Sequence, residues 1–295
     1  MNEFAEVFEA ERPRLVRVAY ATLGSLAEAE DCVQEAWLRL RGLDDPEEIR
    51  DLPAWLIRTV GRLALDALGS ARARRERYVG TWLPEPLVGD VTPGTDPADR
   101  VTMDEQVSMA MLVVMESLSP AERTAFLLHD VFGVPFDEVA EVVGRSTVAV
   151  RQLASRARRH VADGRPRFPP TPDEQRAVVT AFLEACRNGD LDALMELLAP
   201  DVVLRGDGGG KVGTVPRVMR GAEEVAGALL AFSGDAPRGG ALRVATVNGS
   251  PGVVARGIDG NLSVAAIVVD AGRIVAVNVV RNPDKLTSVQ EPDAD

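Results

Sequence analysis

The stretch RSTVAVRQLASRARRH, residues 145–160, carries five arginines and no acid, in a chain whose formal net charge is −12. Guanidinium forks at helical spacing can grip guanine edges and neutralise phosphates, which is the chemistry of nucleic-acid contact. A second arginine-rich run, ARARRER at 71–77, ends another apolar periodic segment. A third candidate is DGGGK, Asp207–Lys211. It lacks the full GxxxxGK[ST] pattern and a strand–loop–helix setting, so nucleotide binding is rejected. Its three glycines instead permit backbone shapes barred to other residues and let another segment approach closely. Of 33 basic residues only two are lysines, Lys211 and Lys285, so arginine at any single position says little and only clustering is informative.

Local sequence predicts how these groups are held. FDEVAEVV, 136–143, reads as a short amphipathic helix, Gly144 as a tight turn and Ser146 as the N-cap of the next helix. Val150, Leu153, Ala154, Ala157 and Val161 then form one apolar face, leaving Thr147, Arg151, Gln152, Ser155, Arg156 and Arg159 outward. That is the grammar of a helix-turn-helix whose second helix enters the major groove. Upstream, Leu15, Val18, Ala19 and Leu23 fit a helical period, and Ser25 with Glu28 resembles a capping box. The helix it opens, about 26–40, gathers Ala29, Val33, Ala36, Trp37 and Leu40 on one face. Another helix is predicted from Ala54 to about Arg77.

Residues 80–104 contain four prolines and several glycines and read as a linker rather than a packed element, although Trp82 and Leu83 are sticky for an exposed tether. RPRFPPTPD, 165–173, is a second break. Beyond it, helices over 173–199 give way to valine-rich strands separated by glycine turns, which predicts an α+β domain with an antiparallel sheet.

Composition bounds the function. At 295 residues the chain holds two domains or three small ones. No apolar run approaches the roughly eighteen residues that argue for a membrane span. The opening MNEFAEVFEAERPRL is too acidic for a secretory signal. Cys32 and Cys186 lie far apart, so neither a disulfide framework nor a metal site is expected, and a reducing cytoplasm fits. No cofactor is expected. The acidic balance argues against indiscriminate coating of nucleic acid.

LSPAERTAFLLHDVFGVPFDEVAEVVGRSTVAVRQLASRARRHV closely resembles the promoter −35-binding region 4 of bacterial sigma factors. RPRLVRVAYATLGSLAEAEDCVQEAWLRL is similar to region 2 of the extracytoplasmic-function class, the short sigma factors that hold only regions 2 and 4. The resemblance implies that this helix docks on the β′ clamp helices of core RNA polymerase, with Asp31, Gln34 and Glu35 projecting together. It implies that PAWLIRTVGRLALDALGSARARRER serves the −10 element, with Arg58, Arg62 and Asp66 on the melted strand and Arg72, Arg74 and Arg75 on phosphates. Gly69 falls where relatives commonly carry arginine, weakening helix and charge alike.

AVVTAFLEACRNGDLDALMELLAPDVVLRGDGGGKV resembles the SnoaL-like cone shared with ketosteroid isomerases and nuclear-transport-factor-2-like proteins. Three short motifs are similar to those of sigma factors fused to such a domain. They are Trp82, Leu83, Pro84, Glu85 and Pro86; Asp207, Gly208, Gly209, Gly210 and Lys211; and Asn282, Pro283, Asp284, Lys285 and Leu286. The expected organisation is 1–79 region 2, 80–104 linker, 105–164 region 4 and 170–295 SnoaL-like domain. The expected fold is two all-α domains followed by an α+β cone. The expected function is promoter-specific initiation with core polymerase and promoter DNA as partners, no membrane, and no anti-sigma factor required. The last domain is expected to act as a tethered regulator rather than an enzyme, because Tyr20, Tyr78, His129 and His160 all lie in the sigma half. The alternative is a DNA-binding regulator whose cone senses a small molecule or retains enzyme activity.

Overall fold

The computed structural model describes residues 2–75, 77–89, 107–164, 166, 168, 170–234, 242–257 and 259–290, without the side chains of 2, 3, 72–74, 233 and 234. The chain forms two compact units, one of residues 1–77 with 111–164 and the other of 78–110 with 165–295.

In the first unit α1 (Asn2–Leu23), α2 (Leu26–Arg41) and α3 (Leu52–Arg75) bury Leu15, Val18, Val33, Leu56 and Val60 between them. Each such side chain contributes about 1.5–3 kcal/mol by leaving water. Gly24, at φ 70°, ends α1, and Ser25 caps α2 by accepting from the Glu28 amide. A short α4 (Met109–Met115) precedes α5 (Pro120–Phe126), which Ser119 and Glu122 open with a reciprocal capping box. A π-helical turn, Leu127–Val131, leads to α6 (Phe136–Val143). Gly144 then takes the left-handed conformation, φ 68°, and Ser146 accepts from the Ala149 amide at 3.3 Å to open α7 (Thr147–Gly164). The two helical segments, read from sequence as separate domains, thus cluster in a single unit.

In the second unit α8 (Pro172–Asn188), α9 (Leu191–Leu197) and α10 (Ala222–Gly234) pack on one face of a seven-stranded sheet. Its strands are β1 (Val88–Gly89), β2 (Leu198–Asp207), β3 (Met219–Arg220), β4 (Leu242–Val247), β5 (Ser250–Arg256), β6 (Leu262–Asp270) and β7 (Arg273–Val280). They run in the order β1-β4-β5-β6-β7-β2-β3. Phe182, Leu194, Val202, Leu204, Val225, Ile267 and Val277 fill the space between helices and sheet. This is the expected α+β architecture.

Two sequence expectations are corrected. The sheet is mixed, because β2 pairs with β7 in parallel while β4 to β7 form an antiparallel meander. The helical crossover through α10 carries the chain to the far edge, and the meander returns β7 alongside β2 in the same direction. The other correction concerns the linker. Residues 78–89 are packed into the second unit, with Leu83 and Glu85 buried and β1 paired to the edge of β4. Residues 90–104 lie outside the described residues.

Gly69 sits exposed within α3, and a Cβ there would meet nothing within 4 Å. Gly69→Ala is expected to stabilise the helical unit by about 1 kcal/mol, a rise of roughly 4 °C in Tm by calorimetry. An unchanged or lower Tm would contradict this.

Candidate nucleic-acid interface and linker clasp

On α7, Arg151, Gln152, Ser155, Arg156 and Arg159 are exposed and, with Val148, line one surface concavity. Thr147 is half-buried at the helix start. Val150, Leu153, Ala154, Ala157 and Val161 face inward, so the core pattern fixes which arginines point outward. Arg151 also lies over the Phe136 ring at 5.4 Å, which ties α7 to α6. Arg158 differs from its neighbours. It bonds Asp130 at 2.6 and 2.9 Å and anchors α7 to the preceding turn.

On α2, Asp31 and Gln34 are exposed, while Glu35 is half-buried and accepts from Arg39 at 2.9 Å. Leu38 stands 53% exposed on the same helix, an apolar addition to this polar surface that the periodicity reading missed. On α3, Asp66 is exposed. Arg58 pairs with Glu138 at 2.9 Å and Glu141 at 3.7 Å, both on α6, and Arg62 donates to the Glu141 carbonyl at 2.6 Å. The side chains of Arg72 and Arg74 lie outside the described residues. Arg75 is drawn inward: it bonds Glu116 at 2.6 Å and the Leu23 carbonyl. Glu116 also accepts from Arg123, a residue only 1% exposed whose guanidinium donates to the Ala21 carbonyl at 3.0 Å. Burial lowers the Arg75 pKa, with Glu116 opposing that shift and Arg123 reinforcing it. Arg123 belongs to the LSPAER motif, yet arginine is so common in this chain that its burial had no sequence signal.

The second cluster surrounds Asp207, the last residue of β2. Alternation places it on the sheet face opposite Val202 and Leu204, away from the three helices. Its carboxylate is fully buried and accepts four bonds. Tyr78 Oη (2.6 Å) and the Gly209 amide (3.0 Å) reach Oδ1; the Leu83 amide (2.9 Å) and Lys285 Nζ (2.7 Å) reach Oδ2. An ionised carboxylate has about four acceptor positions, so this one is saturated. Its main-chain carbonyl holds the amides of Arg281 and Asn282 at 2.7 and 3.0 Å.

Lys285 completes the clasp. Its ammonium also donates to the Leu83 carbonyl and lies 4.1 Å from the Trp82 ring centroid and 5.2 Å from that of Tyr78. Asn282 Nδ2 donates to Tyr78 Oη at 2.8 Å. Burial and the bond to Asp207 push the Tyr78 phenol well above its usual range. At Gly209, φ 63°, a Cβ would fall 2.5 Å from the Asn282 side chain. Glycine is required there both for backbone shape and for room. Lys211 pairs with Asp284 at 2.6 Å in the open. Further along, Asn248 and Leu87 exchange bonds of 2.8 and 3.1 Å, extending the seat into β1. All three short motifs therefore meet at one carboxylate. Tyr78, counted from sequence with the helical half, belongs to this unit, and with it a tyrosine–aspartate pair that sequence reading had dismissed. Within the pair Asp207 has no exposed surface, while Tyr78 is half-buried.

Comparison with known proteins follows the same division. Residues 7–74 match the Sigma-70 region 2 family and residues 108–161 the Sigma-70, region 4 family. The chain is 45% identical over 291 residues to ECF RNA polymerase sigma factor SigJ of Mycobacterium tuberculosis, covering 95% of this chain and 92% of that one. It is 38% identical over 283 residues to the same organism's probable ECF RNA polymerase sigma factor SigI, covering 95% and 93%. The crystal structure of Mycobacterium tuberculosis SigJ superposes with a TM-score of 0.78 at 42% identity, covering 96% of this chain and 98% of that chain.

Replacing Asp207 by Asn leaves Lys285 buried without its counter-charge, an expected cost of about 3 kcal/mol. Chymotrypsin cleavage after Trp82 should accelerate accordingly. Unchanged cleavage in Asp207→Asn would show that the clasp does not hold the segment.

Proposed function

This chain belongs to the extracytoplasmic-function RNA polymerase sigma factors, and from that premise we propose how its parts divide the work of promoter-directed initiation. Arg151, Gln152, Arg156 and Arg159 of α7, with Thr147 and Ser155, read the −35 element, since the four long side chains are exposed and can enter a major groove. Arg58, Arg62 and Asp66 on α3 serve the −10 strand, with Arg72, Arg74 and Arg75 on its phosphates. Asp31, Gln34 and Glu35 on α2 meet the polymerase β′ clamp helices, with Leu38 supplying apolar contact. Among the described residues no helix is long and apolar enough to cross a membrane. The site of action is the cytoplasm, where promoter DNA is.

The second unit acts as a regulator rather than an enzyme, by holding the linker. The observation that carries this reading is the buried Asp207 carboxylate, whose partners Tyr78 and Leu83 come from the start of the linker. Twelve residues, 78–89, are held against this unit; released and extended they would span up to about 40 Å. Clasping or releasing them changes how far the two promoter-reading segments can separate on polymerase. The covalent tether supplies a millimolar effective concentration, so modest contacts govern the equilibrium. No anti-sigma factor is needed for this switch.

Run-off transcription with core polymerase tests the reading. Removing residues 170–295 and introducing Asp207→Asn are expected to shift output in the same direction, several-fold or more. Unchanged output in both would refute a regulatory role. Arg151→Ala is expected to lower promoter output about tenfold, the effect of one lost base-reading pair. Arg158→Ala, already committed to Asp130, should instead lower stability and spare promoter choice.

A further inference from the structure

Val148, the second residue of α7, stands 67% exposed. It lines the same concavity as Arg151, Gln152, Ser155, Arg156 and Arg159, and it is the one apolar side chain among them. Arg151, Gln152, Ser155 and Arg159 follow it at helical spacing, so the five share one stripe of the helix. Val148 has no part in the buried face, which Val150, Leu153, Ala154, Ala157 and Val161 fill. A valine left in water forgoes the stabilisation that burial brings, and regains it only against an apolar partner.

We propose that Val148 selects a thymine in the −35 element by packing on its 5-methyl group. The proposal rests on the −35 reading of α7 and adds a source of specificity that arginine does not supply. Residues near the start of the second helix of a helix-turn-helix contact base edges. Of the four bases only thymine presents a methyl group in the major groove; the other edges offer hydrogen-bond donors and acceptors. The valine side chain carries neither, so against a polar edge it would strip water and return no bond. Its branched Cβ holds one preferred rotamer in a helix, so the contact orders little. A rise of about 1.5 Å per residue sets Val148 about 4.5 Å from the level of Arg151 and about 6 Å from that of Gln152. Base steps are roughly 3.4 Å, which puts the thymine about one or two pairs from the bases those side chains grip. Arginine–phosphate contacts hold any duplex alike, whereas the methyl contact distinguishes sequences.

Deoxyuridine differs from thymidine only by that methyl group and pairs with adenine in the same way, so it isolates the contact. Promoter duplexes randomised over the −35 element, selected by run-off transcription with core polymerase and the full-length chain, supply the templates. Each thymine of the selected element, on either strand, is then replaced singly by deoxyuridine. One replacement should lower output about fourfold, as expected when one apolar carbon group no longer leaves water. Val148→Ala, at an exposed position outside the core, should transcribe the thymine and deoxyuridine templates equally. Val148→Thr, which keeps one methyl, should retain part of the preference. A selected element without thymine, output indifferent to every deoxyuridine, or a preference that survives Val148→Ala would overturn the proposal. Arg151→Ala separates the two levels. A library that yields no preferred sequence, or unchanged output and selection in Arg151→Ala, removes the −35 reading of α7 and Val148 with it. Lowered output in Arg151→Ala with no deoxyuridine effect removes only the methyl contact.

Discussion

A fully buried carboxylate must be neutralised and hydrogen-bonded, and in this chain the groups that do so for Asp207 come chiefly from two distant stretches of sequence, 78–83 and 285. A charge in that position is tolerated only while Lys285, Tyr78 and the Leu83 amide are all present. Residues 88–89 supply the edge strand of the sheet, and residues 78–89 are seated on the same unit. Glycine at 209 is needed so that the loop carrying Asp207 can close over Asn282. The tail 282–286 is needed because it brings the ammonium. Removing Asp207 leaves Lys285 and the Leu83 amide without their shared acceptor, which makes the clasp cooperative.

The same reasoning explains the charge balance. The chain is acidic overall, yet the basic side chains that matter are concentrated where they meet acids or are left open. Arg151, Arg156 and Arg159 are left open on α7. Those on α3 and in the LSPAER motif are closed on carboxylates and carbonyls within the helical unit. A factor delivered by polymerase gains from such closure, because an open basic surface would bind DNA without regard to sequence.

Much of this was legible in sequence because the signals are local. Gly144 and Ser146 set the helix-turn-helix by their own backbone and capping preferences, and valine-rich segments between glycines set the strands. Residues of all three quoted motifs meet at Asp207. What was not legible is non-local. The parallel pairing of β2 with β7 depends on a crossover that no local pattern encodes. The prolines of 82–86 read as a tether, because proline excludes helix whether or not the segment is packed. Tyr78 was counted with the helices because it directly follows their arginine-rich end. Arg123 was overlooked because burial of an arginine depends on Glu116 and the Ala21 carbonyl, one of them far away in sequence.

The claim on which the account turns is that the linker is seated by Asp207 in the free chain. Amide hydrogen exchange over residues 81–88 measures this directly, since the Leu83 and Leu87 amides are bonded to Asp207 and Asn248. The account predicts exchange slowed at least a hundredfold in the intact chain relative to an isolated linker peptide, with most of that protection lost in Asp207→Ala. Exchange at the free-peptide rate in the intact chain would contradict it.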